Sequence, residues 1–240
     1  MSKHYLSIDF KSSQLFEYSK EAKEGFEPQE GRSGYRRFLN EGITGELLNV
    51  GVRDSKIGQQ INVALKDENG DYNYIQIGLY DQKGNVDGSF GESLIRYLPH
   101  LKKGETYRFY PYNLTAETQK SNDESQGKEV RSKYYDQRGI SVKLNGDTKV
   151  DTISYNKRGE KDSNKIPNLE WKEVLGKNKP TAVSLEAKNE FLLSIVSNAV
   201  DGHLKYEGNT TSTPTTQKQE TKFEPVEEQS FIAEDQDLPF

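Results

Sequence analysis

The stretch from Glu41 to Asp81, EGITGELLNVGVRDSKIGQQINVALKDENGDYNYIQIGLYD, alternates apolar and polar residues with a period of two. Period two sends successive side chains to opposite faces of a strand, so the run reads as sheet. SKIG and DENGD punctuate it, the second a strong tight-turn signal, and the three resulting strands form an antiparallel meander. Ile61, Val63 and Leu65 share a face of the second strand. In the third, Ile75, Ile77 and Leu79 do, which turns Tyr72, Tyr74, Gln76 and Tyr80 to the other side. A core face and a tyrosine face result.

The period then changes. In GSFGESLIRYLPHLKKG, Ser89 and Glu92 fit a capping box, and Phe90, Leu94, Leu98 and Leu101 fall on one helical stripe ended by Pro99 and Gly104. The strand ETYRFYPYNLTAE follows, with Tyr107 and Phe109 on one side and Arg108, Tyr110 and Tyr112 on the other. Pro111 marks a bulge or an edge. A long polar insert, TQKSNDESQGKEVRSK, leads to RGISVKLNG, and KVDTISYNK pairs with that strand across NGDT. Three strands, a helix and two strands is the order of an OB-fold, a mainly β, five-stranded Greek-key barrel, here spanning about residues 41–158. HYLSIDF and QLFEYSK add an N-terminal hairpin. A C-terminal helix over about 184–201, with Leu185, Leu192, Ile195, Val196, Ala199 and Val200 as its stripe and Gly202 as its cap, covers the barrel.

Charge is unevenly placed. From Gly208 to Phe240 seven carboxylates stand against two lysines, so this end carries the whole formal charge of -5 and residues 1–207 are balanced. A neutral body admits an anionic ligand on a local basic patch. The stretch NTTSTPTTQKQETK has no apolar periodicity and reads as a disordered tether, making 1–207 the folded domain and 208–240 a linker with an acidic tip. No apolar run reaches membrane-spanning length and the start MSKHYLSIDF lacks a signal-peptide core, so a cytoplasmic location is expected.

Catalytic signatures are missing: there is no phosphate loop, no HExxH and no nucleophile elbow, and a hairpin turn explains DENGD better than a calcium loop does. With no cysteine and with His4, His100 and His203 scattered, no metal or other cofactor is expected, and neither is an enzyme.

The tyrosines sit beside bases, in GYRRF, TYRFYPY, RSKYYDQR and SYNKRG. Aromatic faces stack on unpaired bases while Lys and Arg neutralise phosphates. The candidate contacts are Arg36, Arg37, Tyr74, Arg108, Tyr110, Tyr112, Arg131, Lys133, Tyr134 and Tyr135, with Tyr35, Tyr72, Arg53 and Lys56 beside them. Tyrosine is also an ordinary strand residue, which leaves a β-module for protein interaction, without DNA binding, as the alternative.

Together, the OB-like body, the linker and the tip EDQDLPF resemble the single-stranded DNA-binding proteins of bacteria and their phages, whose acidic tips end in Pro-Phe or a lone Phe. The tip match covers residues 234–240, and the body matches by element order. The insert at 115–133, the N-terminal addition and the C-terminal helix depart from the short bacterial tetrameric form and favour a phage-type protein. The resemblance implies sequence-nonspecific protection of single-stranded DNA during replication, recombination or repair. It also implies capture of partners such as a polymerase, primase, helicase or nuclease. In that role Phe240 enters an apolar pocket, Pro239 limits the conformations to be frozen, Leu238 adds apolar contact, and Glu234, Asp235 and Asp237 meet cations on the partner.

Overall fold

A computed structural model of the chain describes residues 1–205 apart from 32, 57, 131, 132, 158 and 175. Arg131 and the tip at 234–240 therefore lie outside the described residues.

The protein is mainly β with a C-terminal helix. Its strands are β1 (Lys3–Asp9), β2 (Gln14–Ser19), β3 (Glu27–Pro28), β4 (Tyr35–Leu39), β5 (Ile43–Ser55), β6 (Gly58–Lys66), β7 (Tyr72–Gly78), β8 (Thr106–Leu114), β9 (Gln137–Leu144), β10 (Thr148–Lys149), β11 (Trp171–Val174) and β12 (Lys177–Pro180). The helices are α1 (Phe90–Ile95), α2 (Ala116–Ser125) and α3 (Ala182–Asp201). Among the described residues ten strands form one mixed sheet in the order β10-β9-β8-β5-β6-β7-β1-β2-β4-β3, and β11 and β12 form a separate hairpin.

The predicted meander is β5 to β7, and its core face is the expected one. Ile61, Val63, Leu65, Ile75, Ile77 and Leu79 are buried. DENGD is a turn: the Asp67 side chain accepts from the Asn69 and Asp71 amides at 3.0 and 2.9 Å, and Gly70 takes the left-handed φ of 81° that this turn requires. The register of β5 against β6 shifts between Leu47 and Asn49, a bulge. A bulge bends its strand, and here the start of β5 pairs with β8 while the rest pairs with β6.

A five-stranded closed barrel was the expectation, and the sheet departs from it at one edge. β7 pairs in parallel with β1, Tyr5 standing opposite Tyr74 and Ser7 opposite Gln76, so the N-terminal strands continue the sheet. The edge of β9 is met by α1 instead, where Ser93 Oγ accepts from the Ile140 amide at 2.9 Å and donates to its carbonyl at 3.1 Å. The turn after β1 is tied to α1 by Phe10, edge-on to the buried Phe90 at 5.3 Å.

Several local expectations are corrected. Ser89 stands at the N-cap of α1 but makes no side-chain cap bond; its hydroxyl donates to Asp87, and Glu92 pairs with Lys188 of α3 at 2.7 Å. Tyr80 is half-buried against the core, not on the tyrosine face. The polar insert contains α2, capped by Thr115. KVDTISYNK contributes only Lys149, the second residue of β10, as strand. Leu192, Ile195, Val196, Ala199 and Val200 of α3 are buried as expected, and Gly202 is its C-cap residue, at a φ of -107°.

Buried Tyr107 gives the fold an alkaline limit. Its hydroxyl donates to Glu105 Oε2 at 2.6 Å and accepts from the Lys102 amide at 3.0 Å. Burial first and the Glu105 carboxylate second push its pKa from 10.0 up to about 12. Across that interval the folded chain keeps a proton that the unfolded chain loses, so stability falls as pH rises from 10.0 to about 12. Tyr107→Phe, lacking the ionisable group, flattens that fall in urea midpoints measured along the pH series.

Candidate nucleic-acid interface

Strand parity and register bring side chains from six strands onto the outer face of the sheet. β5 contributes Asn49, Gly51 and Arg53; β6 contributes Gln60, Asn62, Ala64 and Lys66, each opposite a residue of β7. Lys66 stands opposite Tyr72, Ala64 opposite Tyr74, and Asn62 opposite Gln76. Across the parallel join, Lys3 stands beside Tyr72 and Tyr5 beside Tyr74; the two tyrosine rings are stacked with centroids 5.2 Å apart and planes 17° apart. The row through Gln76 continues to Ser7, Phe16 and Phe38. The opposite face of the same strands carries Leu6, Ile61, Val63 and Ile75 into the core.

The surface is built of aromatic rings, carboxamides and cations. Tyr5 is 47% exposed and Phe38 37%. Asn62 is buried, and its carboxamide oxygen has no hydrogen-bond partner among the described residues. Beside it, the space above Gly51 is open: among the described residues, its chain neighbours aside, no heavy atom lies within 4 Å of where a Cβ would stand. A buried acceptor left unpaired costs about 1–3 kcal/mol, so a donor arriving on this face would recover that cost.

The predicted residues divide by face. Arg36 joins the outer face, its guanidinium 4.3 Å above the Phe16 ring and paired with Asp9 at 2.9 Å. Tyr35 and Arg37, one position either side of it, point to the opposite face; Arg37 pairs with Glu17 at 2.8 Å, and Glu17 also meets His4 Nδ1 at 2.9 Å. The sequence cluster GYRRF is thus split by its own strand period. Arg53, at the end of β5, and Lys56, in the turn after it, are exposed at the tip of the β5–β6 hairpin.

A second group lies on β8 and the insert. Arg108, Tyr110 and Tyr112 alternate with buried Tyr107, Phe109 and Pro111. Arg108 is committed to the Glu41 carbonyl through Nε at 2.9 Å and Nη2 at 2.8 Å, while Tyr110 is 41% exposed. The ring of Tyr112 lies close to Gly139 and Ser93, where a Cβ on Gly139 would collide with its hydroxyl. α2 shapes the insert: Tyr134 donates to Asp123 at 3.0 Å, and Gln119 holds the Tyr135 carbonyl. Tyr135 is 64% exposed, with Lys133 Nζ 5.1 Å from its ring centre.

Sequence reasoning missed Lys3, Tyr5, Phe16, Phe38 and Lys66. Their signal was available: HYLSIDF alternates around Leu6, so Tyr5 and Ser7 had to face away from the core. Elsewhere, an open cleft of about 1170 Å³ at the start of α3, between Asn156, Trp171, Val183 and Ser184, holds none of the predicted contacts. Among the described residues no three His, Cys, Asp or Glu side chains are grouped to hold a metal ion, and no helix is long and apolar enough to cross a membrane. Compared with known proteins, the chain matches no family model, no curated protein and no solved structure.

Proposed function

We propose that the protein binds single-stranded DNA without sequence preference and has no catalytic role. The observation that carries this reading is the outer face of β6 and β7, where Tyr72 is bracketed by Lys66 and Lys3 in one register and Tyr74, next on the same face, is stacked with Tyr5. Rings offer stacking surfaces to unpaired bases of any sequence, and cations placed beside them neutralise the backbone. The connectivity supports the reading too. The run β9-β8-β5-β6-β7, with α1 between β7 and β8, has the strand order of an OB-fold opened between its third and fifth strands; on that reading β6 and β7 are the second and third strands, whose outer face binds oligonucleotides in that fold. β1, held between β7 and β2, then extends the barrel wall. In this proposal residues 234–240 recruit replication, recombination or repair enzymes through the acidic and apolar sequence EDQDLPF.

Poly-dT titrated into the protein, followed by Trp171 and tyrosine emission, tests the binding directly. Tight association that weakens steeply with salt, and that a blunt duplex of equal length does not reproduce, is the expected result. Equal affinity for the duplex, or no binding by either, rules the reading out and leaves a protein-interaction module.

A further inference from the structure

Resting on that reading, we propose that β1, β2 and β4 form a second stretch of the same single-strand track, so that the bound strand crosses the β7–β1 join and continues over Tyr5, Phe16 and Phe38. Four observations carry it.

The first is continuity. β1 pairs in parallel with β7 in unbroken register, so Tyr72, Tyr74 and Gln76 are followed laterally by Lys3, Tyr5 and Ser7 without a step in the sheet. Strands spaced about 4.8 Å apart carry the face roughly 14 Å from β7 to β4.

The second is chemistry. Tyr5 and Tyr74 stack on each other at 5.2 Å, yet Tyr5 is still 47% exposed, so the pair is a ready-made platform on which a base can continue the stack. Phe16 and Phe38, centroids 6.0 Å apart, stand in the row through Ser7.

The third is charge. Asp9, a carboxylate on this face of β1, is already matched by Arg36, whereas Lys3 at the entrance of the track has no carboxylate within ion-pair distance among the described residues. On this face of β1 the join thus offers a cation that no carboxylate matches, which suits a polyanion.

The fourth is what the face lacks. Its rings are separated by Ser7 and Gln76, with no exposed aliphatic residue between them among the described residues, whereas the buried centre of a protein–protein interface is largely apolar.

The test uses the full chain and oligo-dT of about 6, 12, 18 and 24 nucleotides, bracketing the site sizes known for a single barrel. In the double variant Tyr5→Ala with Phe38→Ala, affinity for the longest oligonucleotide should fall at least tenfold and the occluded length on poly-dT should shorten, while the urea midpoint is kept. Ultraviolet crosslinking of the unsubstituted protein to the longest oligonucleotide should yield adducts within residues 3–19 or 35–39, a readout that does not depend on the variant folding. Parent and variant coinciding at every length, with crosslinks confined to β6, β7 and β8, overturns the second stretch and leaves single-strand binding standing. A change in sedimenting mass with unchanged DNA affinity also overturns it, in favour of a contact between copies of the chain. An unsubstituted protein that binds no oligonucleotide overturns the proposed function itself, and this inference with it.

Discussion

Replacing Lys188 by methionine lowers the melting temperature by about 6–20 °C, from the roughly 3–5 kcal/mol that breaking a buried ion pair costs and about 2–4 °C per kcal/mol for a chain of this size. Lys188 Nζ meets Glu92 Oε2 at 2.7 Å, with side-chain exposures of only 14% and 5%. The other carboxylate oxygen accepts from the Tyr155 hydroxyl, and the Tyr155 ring lies under both Arg96, at 5.0 Å, and Lys188, at 5.7 Å. Burial, with the Glu92 carboxylate next, holds the Tyr155 phenol far above the usual tyrosine range and keeps it a donor. Arg96 in turn donates to the Ile153 carbonyl at 2.9 Å. One cluster thus ties α1, α3 and the chain after β10 together, and removing the ammonium strands a carboxylate out of water. Glu92→Gln combined with Lys188→Met should recover much of the loss, because the uncompensated charge goes with its partner. A single variant that costs under about 1 kcal/mol would mean that the pair behaves as a solvated surface bridge.

The second large effect is on salt dependence. Changing Lys3, Arg53 and Lys66 together to alanine should flatten the log–log salt slope of poly-dT binding by about 2, at roughly 0.7 per phosphate contact on a single strand. These three cations border the outer face, with no carboxylate within ion-pair distance among the described residues. Arg36→Ala should leave the slope almost unchanged, since Asp9 already matches that charge at 2.9 Å. Affinity and slope would then separate the three unmatched cations from an arginine that a carboxylate already matches. If Arg36→Ala flattens the slope as much as the triple change, the Arg36–Asp9 pair must open when the strand binds.

The elements that could be read from sequence are those whose cause is local. Alternation around Ile61, Val63 and Leu65 assigns the core side of β6, and the same rule places Tyr72 and Tyr74 outward. The DENGD turn needs only its own Asp67 and Gly70. What escaped reading depends on partners distant in the chain. Nothing near Glu92 indicates that it will pair with Lys188 and not cap its own helix. Nothing in HYLSIDF says that it will lie parallel to residues 72–76 and not remain a free hairpin. The site was half legible for the same reason. Tyr72 and Tyr74 were found by period, whereas their neighbours Tyr5 and Lys3 join them only through the parallel pairing. The GYRRF cluster shows the opposite error, adjacency in sequence standing in for adjacency in space.

The join between β7 and β1 also sets an order of events during synthesis. β1 leaves the ribosome first, but its partner strand ends only at Gly78, so for about seventy residues of translation, some 4–14 s at 5–20 residues per second, that edge has no sheet to join. β2 and β4 arrive in the meantime and can zip antiparallel onto its other side, giving the nascent chain a small ribbon whose remaining edge is open. An open strand edge is a template for pairing with another chain. The mature protein closes that edge with its own β7; a polysome carrying many such ribbons must do so before neighbouring chains find one another.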